Sequence, residues 1–183
     1  MKVLMINDYG DDDKEASGAE RIVNLLKREL EKKGHLVKKV SPPPEMGAGD
    51  LAFQCGLVEK QICDFKPDIV HFHNIVRWGL QLILYCRSRK IPHLITVHDY
   101  WPVCRCRQFF RWSELKVCDE KHQRDCTVGI GGANCIFGLC HLPTPAGLIE
   151  VLKDTPMISI SNFQMELMDD FGYRNVEVIY NGI

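Results

Sequence analysis

A chain of 183 residues with 45% hydrophobic content can bury one substantial core and is short for two. Its 23 basic and 24 acidic side chains nearly cancel, which excludes the basic field of a nucleic-acid binder and the acidic excess of a disordered chain. The opening run Met1-Lys2-Val3-Leu4-Met5-Ile6 is too brief for a signal-peptide core or a membrane span, so a cytoplasmic location is the default expectation.

Short apolar runs alternate with amphipathic patterns along the chain. Strands are expected at Val3 to Ile6, Leu36 to Val40, Ile69 to Phe72, His93 to Val97, Met157 to Ile160 and Val176 to Tyr180. That rhythm predicts a Rossmann-like α/β fold, a doubly wound parallel sheet with helices on both faces, as one domain over 1–183. After the first run, Ser17 and Glu20 have capping-box spacing and Ile22, Val23, Leu26 and Leu30 form a helical stripe that Gly34 ends. Lys27, Arg28, Glu31 and Lys32 read as its solvated face. A second helix is expected from about Asp50 to Asp64 and a third from about Gly79 to Arg89, with Cys55, Cys63 and Cys86 as small buried hydrophobes. From Asp99 to Leu142 the rhythm fails, which marks an insertion at about 100–142. Ser161 and Gln164 then repeat the capping-box spacing ahead of a short helix that stops near Gly172.

In an open parallel sheet, ligands bind beyond the carboxyl ends of the strands, where helix N-termini and loops converge. The residues that follow the expected strands are Asn7 and Asp8, His73 and Asn74 after His71, His98 and Asp99, Ser161 and Asn162, and Asn181 and Gly182. Seven residues, four of them acidic, separate Gly10 from Gly18, so a dinucleotide fingerprint is absent. Ser17-Gly18-Ala19 instead opens a helix whose amides and dipole either face a phosphate or simply cap the helix. His98 ends an apolar strand, so its imidazole either serves the chemistry of the rim or bonds a loop carbonyl. His71 and His73 share one strand face and read as core polars. No His and carboxylate set has the spacing of a zinc hydrolase.

Ser17-Gly18-Ala19-Glu20-Arg21, Pro67-Asp68-Ile69-Val70-His71-Phe72-His73 and Thr96-Val97-His98-Asp99-Tyr100-Trp101 stand in one order. Ile158-Ser159-Ile160-Ser161-Asn162-Phe163 and Val178-Ile179-Tyr180-Asn181-Gly182-Ile183 follow them. The whole resembles the N-terminal domain of glycosyltransferase family 4, of the two-domain GT-B type. The resemblance implies a retaining hexosyltransferase that moves a sugar from a nucleotide-diphosphate sugar to a sugar or lipid-linked acceptor, with no cofactor required for transfer. It puts His98 and Asp99 in the catalytic position and Gly18, Ala19 and Asn181 on the donor side. His73, Asn74, Ser161 and Asn162 fall on the acceptor side. Most donor contacts belong to a C-terminal domain that the sequence does not include, so this half is expected to be inactive alone. The alternative is a non-catalytic α/β ligand-binding module or partner subunit.

Nine cysteines are present, and Cys104, Cys106, Cys118, Cys126, Cys135 and Cys140 crowd the insertion. Their spacing lacks paired Cys-x-x-Cys steps, so a structural zinc and disulfides stay equally open. Trp101, Arg105, Arg107, Phe109, Phe110, Arg111 and Trp112 form either an amphipathic patch for peripheral contact with a cytoplasmic membrane face or a loop packed on its own aromatics.

Overall fold

Five consecutive buried residues, Val3 to Asn7, build β1 (Lys2–Asn7), and unbroken burial marks a strand covered on both faces. The computed structural model describes residues 1–8, 18–42, 51–104, 107–111, 115–118 and 145–182. Asp11 to Asp13, Ser17, Asp50, Arg105, Cys106, Trp112, Cys126, Cys135 and Cys140 lie outside them, as do the side chains of Cys55 and Arg111. The chain divides into two compact units, Met1–Thr96 and Val97–Ile183.

In the first unit β1 pairs in parallel with β2 (Leu36–Val40), Ile6 opposite Val40, and with β3 (Ile69–His73), Asn7 opposite His73. β4 (His93–Val97) pairs with β3, His73 opposite Thr96, so the order is β2-β1-β3-β4. The chain starts in the middle, winds out to β2, then returns across β1 to β3. That reversal defines a doubly wound α/β sheet of Rossmann-like kind, as predicted.

Helix α1 (Gly18–Lys32) follows β1 because its apolar residues recur at helical spacing. Val23 is buried against Val3, Met5 and Val37, with Leu26, Leu30 and Ile69 beside it. Full burial of one such side chain contributes roughly 1.5–3 kcal/mol. On the outer face Lys27 pairs with Glu31 at 2.7 Å and Lys32 with Glu29 at 2.6 Å, exposed pairs worth little. Helix α2 (Leu51–Phe65) buries Val58 and Ile62, and that apolar face turns Cys63 outward; the expected burial of Cys63 is corrected. Cys86 on α3 (Gln81–Ser88) is buried as expected.

The second unit opens with turns of the insertion and a short antiparallel pair, β5 (Phe110–Arg111) with β6 (Lys116–Val117). After α4 (Pro145–Leu152), β7 (Met157–Ser159) pairs in parallel with β8 (Val176–Val178), and α5 (Asn162–Phe171) connects them. α5 ends on Gly172 at φ +100, the left-handed cap for which glycine is suited. Tyr173 is buried next to that cap and donates its hydroxyl to the Pro102 carbonyl at 2.9 Å. Among the described residues no helix is long and apolar enough to cross a membrane.

Candidate functional site

The strand reversal in the first unit lies between β1 and β3, where open α/β sheets collect ligand groups. Here the chain satisfies itself. Asp8 is fully buried, and its carboxylate accepts from the amides of Val76 at 3.1 Å and Arg77 at 3.0 Å. Arg77 Nη1 donates back to the Asp8 carbonyl at 3.0 Å, and Trp78 Nε1 donates to the Asn7 carbonyl at 2.9 Å. Asp8 is therefore the cap of the loop after β3.

His73 and Asn74 are also buried. The His71 and His73 rings lie 3.9 Å apart between centroids, and His71 Nε2 is 2.7 Å from Thr96 Oγ1, so the pair belongs to the core. Asn74 has φ +46 and makes the left-handed step out of β3, which Asn tolerates better than most residues. Its Oδ1 is buried without a hydrogen-bond partner among the described residues.

Gly18 is exposed at the start of α1, with Ala19 half-buried beside it. A Cβ built on Gly18 meets nothing within 4 Å, and no left-handed φ demands glycine there. Among the described residues, neither crowding nor backbone conformation explains the missing side chain.

In the second unit the residues after β4 are held from three directions. His98 is half-buried, and the next residue, Asp99, is gripped through its side chain and its carbonyl. Asp99 Oδ1 accepts from the Trp101 amide at 2.9 Å, while Oδ2 accepts from Arg107 Nε at 2.9 Å and Nη2 at 2.5 Å. The Asp99 carbonyl accepts from Gln164 Nε2 at 2.9 Å. A carboxylate with donors on both oxygens orients its loop, so geometry gives Asp99 a holding part beside His98.

At the β7 exit, Ser161 is the N-cap of α5, and its Oγ accepts from the Gln164 amide at 3.2 Å. Asn162 and Phe163 stand exposed on the first turn. Tyr100 meets the Phe163 ring edge to face at 6.4 Å and the buried Phe109 ring at 5.4 Å, so an aromatic row runs from the interior to the surface. Trp101 is buried too, and its Nε1 has no hydrogen-bond partner among the described residues. Trp101 and Phe109 thus leave the expected amphipathic patch for the interior, and Arg107 is spent on Asp99. Asn181 is half-buried in the chain beyond β8.

Cys104 and Cys118 are buried, and the other four insertion cysteines lie outside the described residues. Among the described residues, no group of three or more His, Cys, Asp or Glu is placed to hold a metal. Gln164 and Phe163 carried no functional signal beyond a capping-box spacing and a motif position. Each makes a contact with a residue more than sixty positions away.

The family model of Glycosyltransferase Family 4 matches residues 37–124. No curated protein sequence matches the chain. Among solved structures, the chain is similar to the catalytic domain of Starch Synthase IV from Arabidopsis thaliana bound to ADP and acarbose, at 15% identity with a TM-score of 0.55. The match covers 99% of this chain and 51% of that one, so the chain spans about half the length of the structure it resembles. The matched segment, just under half of the chain, and the similar fold support the resemblance to an N-terminal domain of glycosyltransferase family 4.

Proposed function

We propose that the chain is the acceptor-side half of a retaining hexosyltransferase that uses a nucleotide-diphosphate sugar. The observation that carries this reading is the locked step after β4: His98 follows the strand directly, and Asp99 is fixed by Arg107, Trp101 and Gln164. A group that must meet a reacting sugar gains from being held before the substrate arrives. The resemblance gives His98 that task, and retention rests on the same resemblance. ADP and acarbose are the ligands named for the starch synthase, a nucleotide beside a carbohydrate, which favours a nucleotide-sugar donor.

Departure of a nucleotide diphosphate is eased by hydrogen-bond donors and positive dipole ends. The resemblance assigns the start of α1 at Gly18 and Ala19 to the donor, and a glycine there lets a phosphate approach the backbone closely. Asn181 is assigned to the same donor side. Asn162 and the Phe163–Tyr100 pair are assigned to a sugar acceptor, since a ring face packs on the C–H face of a pyranose. Ser161 supports them as the cap of α5, and the resemblance assigns His73 and Asn74 to the acceptor as well. With Trp101 and Phe109 buried, a carbohydrate acceptor is favoured over a lipid surface.

The test is His98→Ala in a protein that contains both halves. We expect turnover to fall by about 100-fold or more while the melting temperature moves by no more than about 2 °C. Matching losses in the transfer assay and the thermal melt would make His98 a structural residue.

A further inference from the structure

Gln164 is buried at 3% exposure, yet it lies in the first turn of a helix whose neighbours Asn162 and Phe163 are exposed. Its side-chain amide links two strand exits of the second unit. Oε1 accepts from the Ile160 amide at 3.1 Å and lies 2.8 Å from Ser159 Oγ, so it is anchored at the end of β7. Nε2 donates to the carbonyl of Asp99 at 2.9 Å, a residue 65 positions earlier. Chemistry fixes the orientation of this amide. A flipped side chain would turn its NH2 toward the Ile160 N–H and its oxygen toward the Asp99 carbonyl, setting donor on donor and acceptor on acceptor.

The backbone amide of Gln164 is spent on Ser161 Oγ, so one residue both closes the cap of α5 and holds the loop after β4. Asp99 is held on its side-chain end by Arg107 and the Trp101 amide. Gln164 takes hold of its carbonyl end instead, and no other described group is shown bonding that carbonyl.

We infer that Gln164 is a positioning residue, which sets the distance from His98 to the acceptor-facing first turn of α5 by tethering the Asp99 carbonyl to the end of β7. The inference rests on His98 facing the sugar, as proposed above. Its geometric part, the tether itself, stands apart from that reading and can be measured separately.

The experiment compares Gln164→Met, which keeps the volume and loses the tether, with Ser159→Ala, which removes one neighbour of Oε1 and leaves the Asp99 link. Amide hydrogen exchange is measured on this chain, and transfer on a protein with both halves. Gln164→Met is expected to speed exchange at Tyr100 and Trp101 by about tenfold or more while β1 and β3 keep their protection. It should also lower kcat by about 10- to 100-fold with KM for the donor unchanged. Ser159→Ala should leave both readouts close to the parent. Unchanged exchange at Tyr100 and Trp101, loss of protection throughout the chain, or equal effects of the two variants would overturn the inference. If Gln164→Met does not fold, the parent decides: a Gln164 side-chain amide exchanging as fast as an exposed glutamine overturns it too. Full activity of His98→Ala measured alongside would refute the functional reading and leave the exchange result to judge the tether.

Discussion

Arg107 reaches back eight residues to Asp99, with Nε 2.9 Å and Nη2 2.5 Å from the same carboxylate oxygen. The bridge closes a turn in which the Tyr100 amide donates to the Arg107 carbonyl at 3.1 Å and Arg107 itself adopts φ +64. A left-handed arginine costs roughly 1–2 kcal/mol, so the turn persists because the ion pair and backbone bonds over-determine it.

We predict that Arg107→Met destabilises the chain by about 1–2 kcal/mol, because Asp99 keeps only the Trp101 amide for its side chain. Arg107→Lys should lose less, about 1 kcal/mol, since one ammonium replaces two guanidinium donors at a partly exposed pair. Urea unfolding of both variants checks the ranking. A lysine variant as damaged as the methionine one would mean that guanidinium geometry, and not charge, holds the turn.

Gly18→Ala separates a helix start from a ligand seat. A Cβ there meets nothing among the described residues, and alanine favours a helix by roughly 0.5–1 kcal/mol over glycine. We predict unchanged or slightly raised stability together with weaker donor binding, read as a higher KM for the nucleotide sugar. Unchanged KM would remove Gly18 from the donor side.

Phe163 is 56% exposed, so Phe163→Ala should cost under about 1 kcal/mol in folding. Its expected effect is a rise of about tenfold in KM for a sugar acceptor, with Phe163→Tyr close to the parent. Acceptor titrations at saturating donor distinguish this from a general loss of turnover.

Alkali should unfold the protein through Cys86. Burial pushes its thiol up to about 12, whereas the unfolded thiol ionises near 9.0. Burial also pushes Tyr173 upward. The stabilisation is complete below pH 9; above it the unfolded chain releases a proton that the folded chain keeps, so stability falls as pH rises toward 12. The slope approaches about 1.4 kcal/mol per pH unit for each such group. Cys86→Ala should flatten that slope in urea titrations between pH 9 and 11. In the parent at pH 8, a thiol reagent should label exposed Cys63 while the fold protects Cys86.

The division between sequence and structure runs through single residues. Ser161 and Gln164 show it well. Their spacing predicted a reciprocal cap, and Ser161 Oγ does bond the Gln164 amide, but the Gln164 side chain passes Ser161 and bonds Ile160 and Asp99. Spacing reports what lies within one helical turn, whereas the Asp99 carbonyl comes near only after the chain has folded. Asp8 is similar: a polar residue at a strand exit was legible, but its two amide partners sixty-eight and sixty-nine positions away were not.

The six strands of the parallel pairs and helices α1, α2, α3 and α5 were legible in the sequence, because burial on both faces of a parallel sheet writes continuous apolar runs and amphipathic crossovers into the chain, whereas α4 and the short β5–β6 pair were not. The tertiary structure decided which strand-exit residues stay open and which turn inward. His73, Asn74 and Asp8 are consumed by the core, Asn162 and Phe163 are left outside, and His98 is set between, next to a clamped Asp99. Hydrogen bonds between distant residues make that choice, and they leave no period in the sequence to be read.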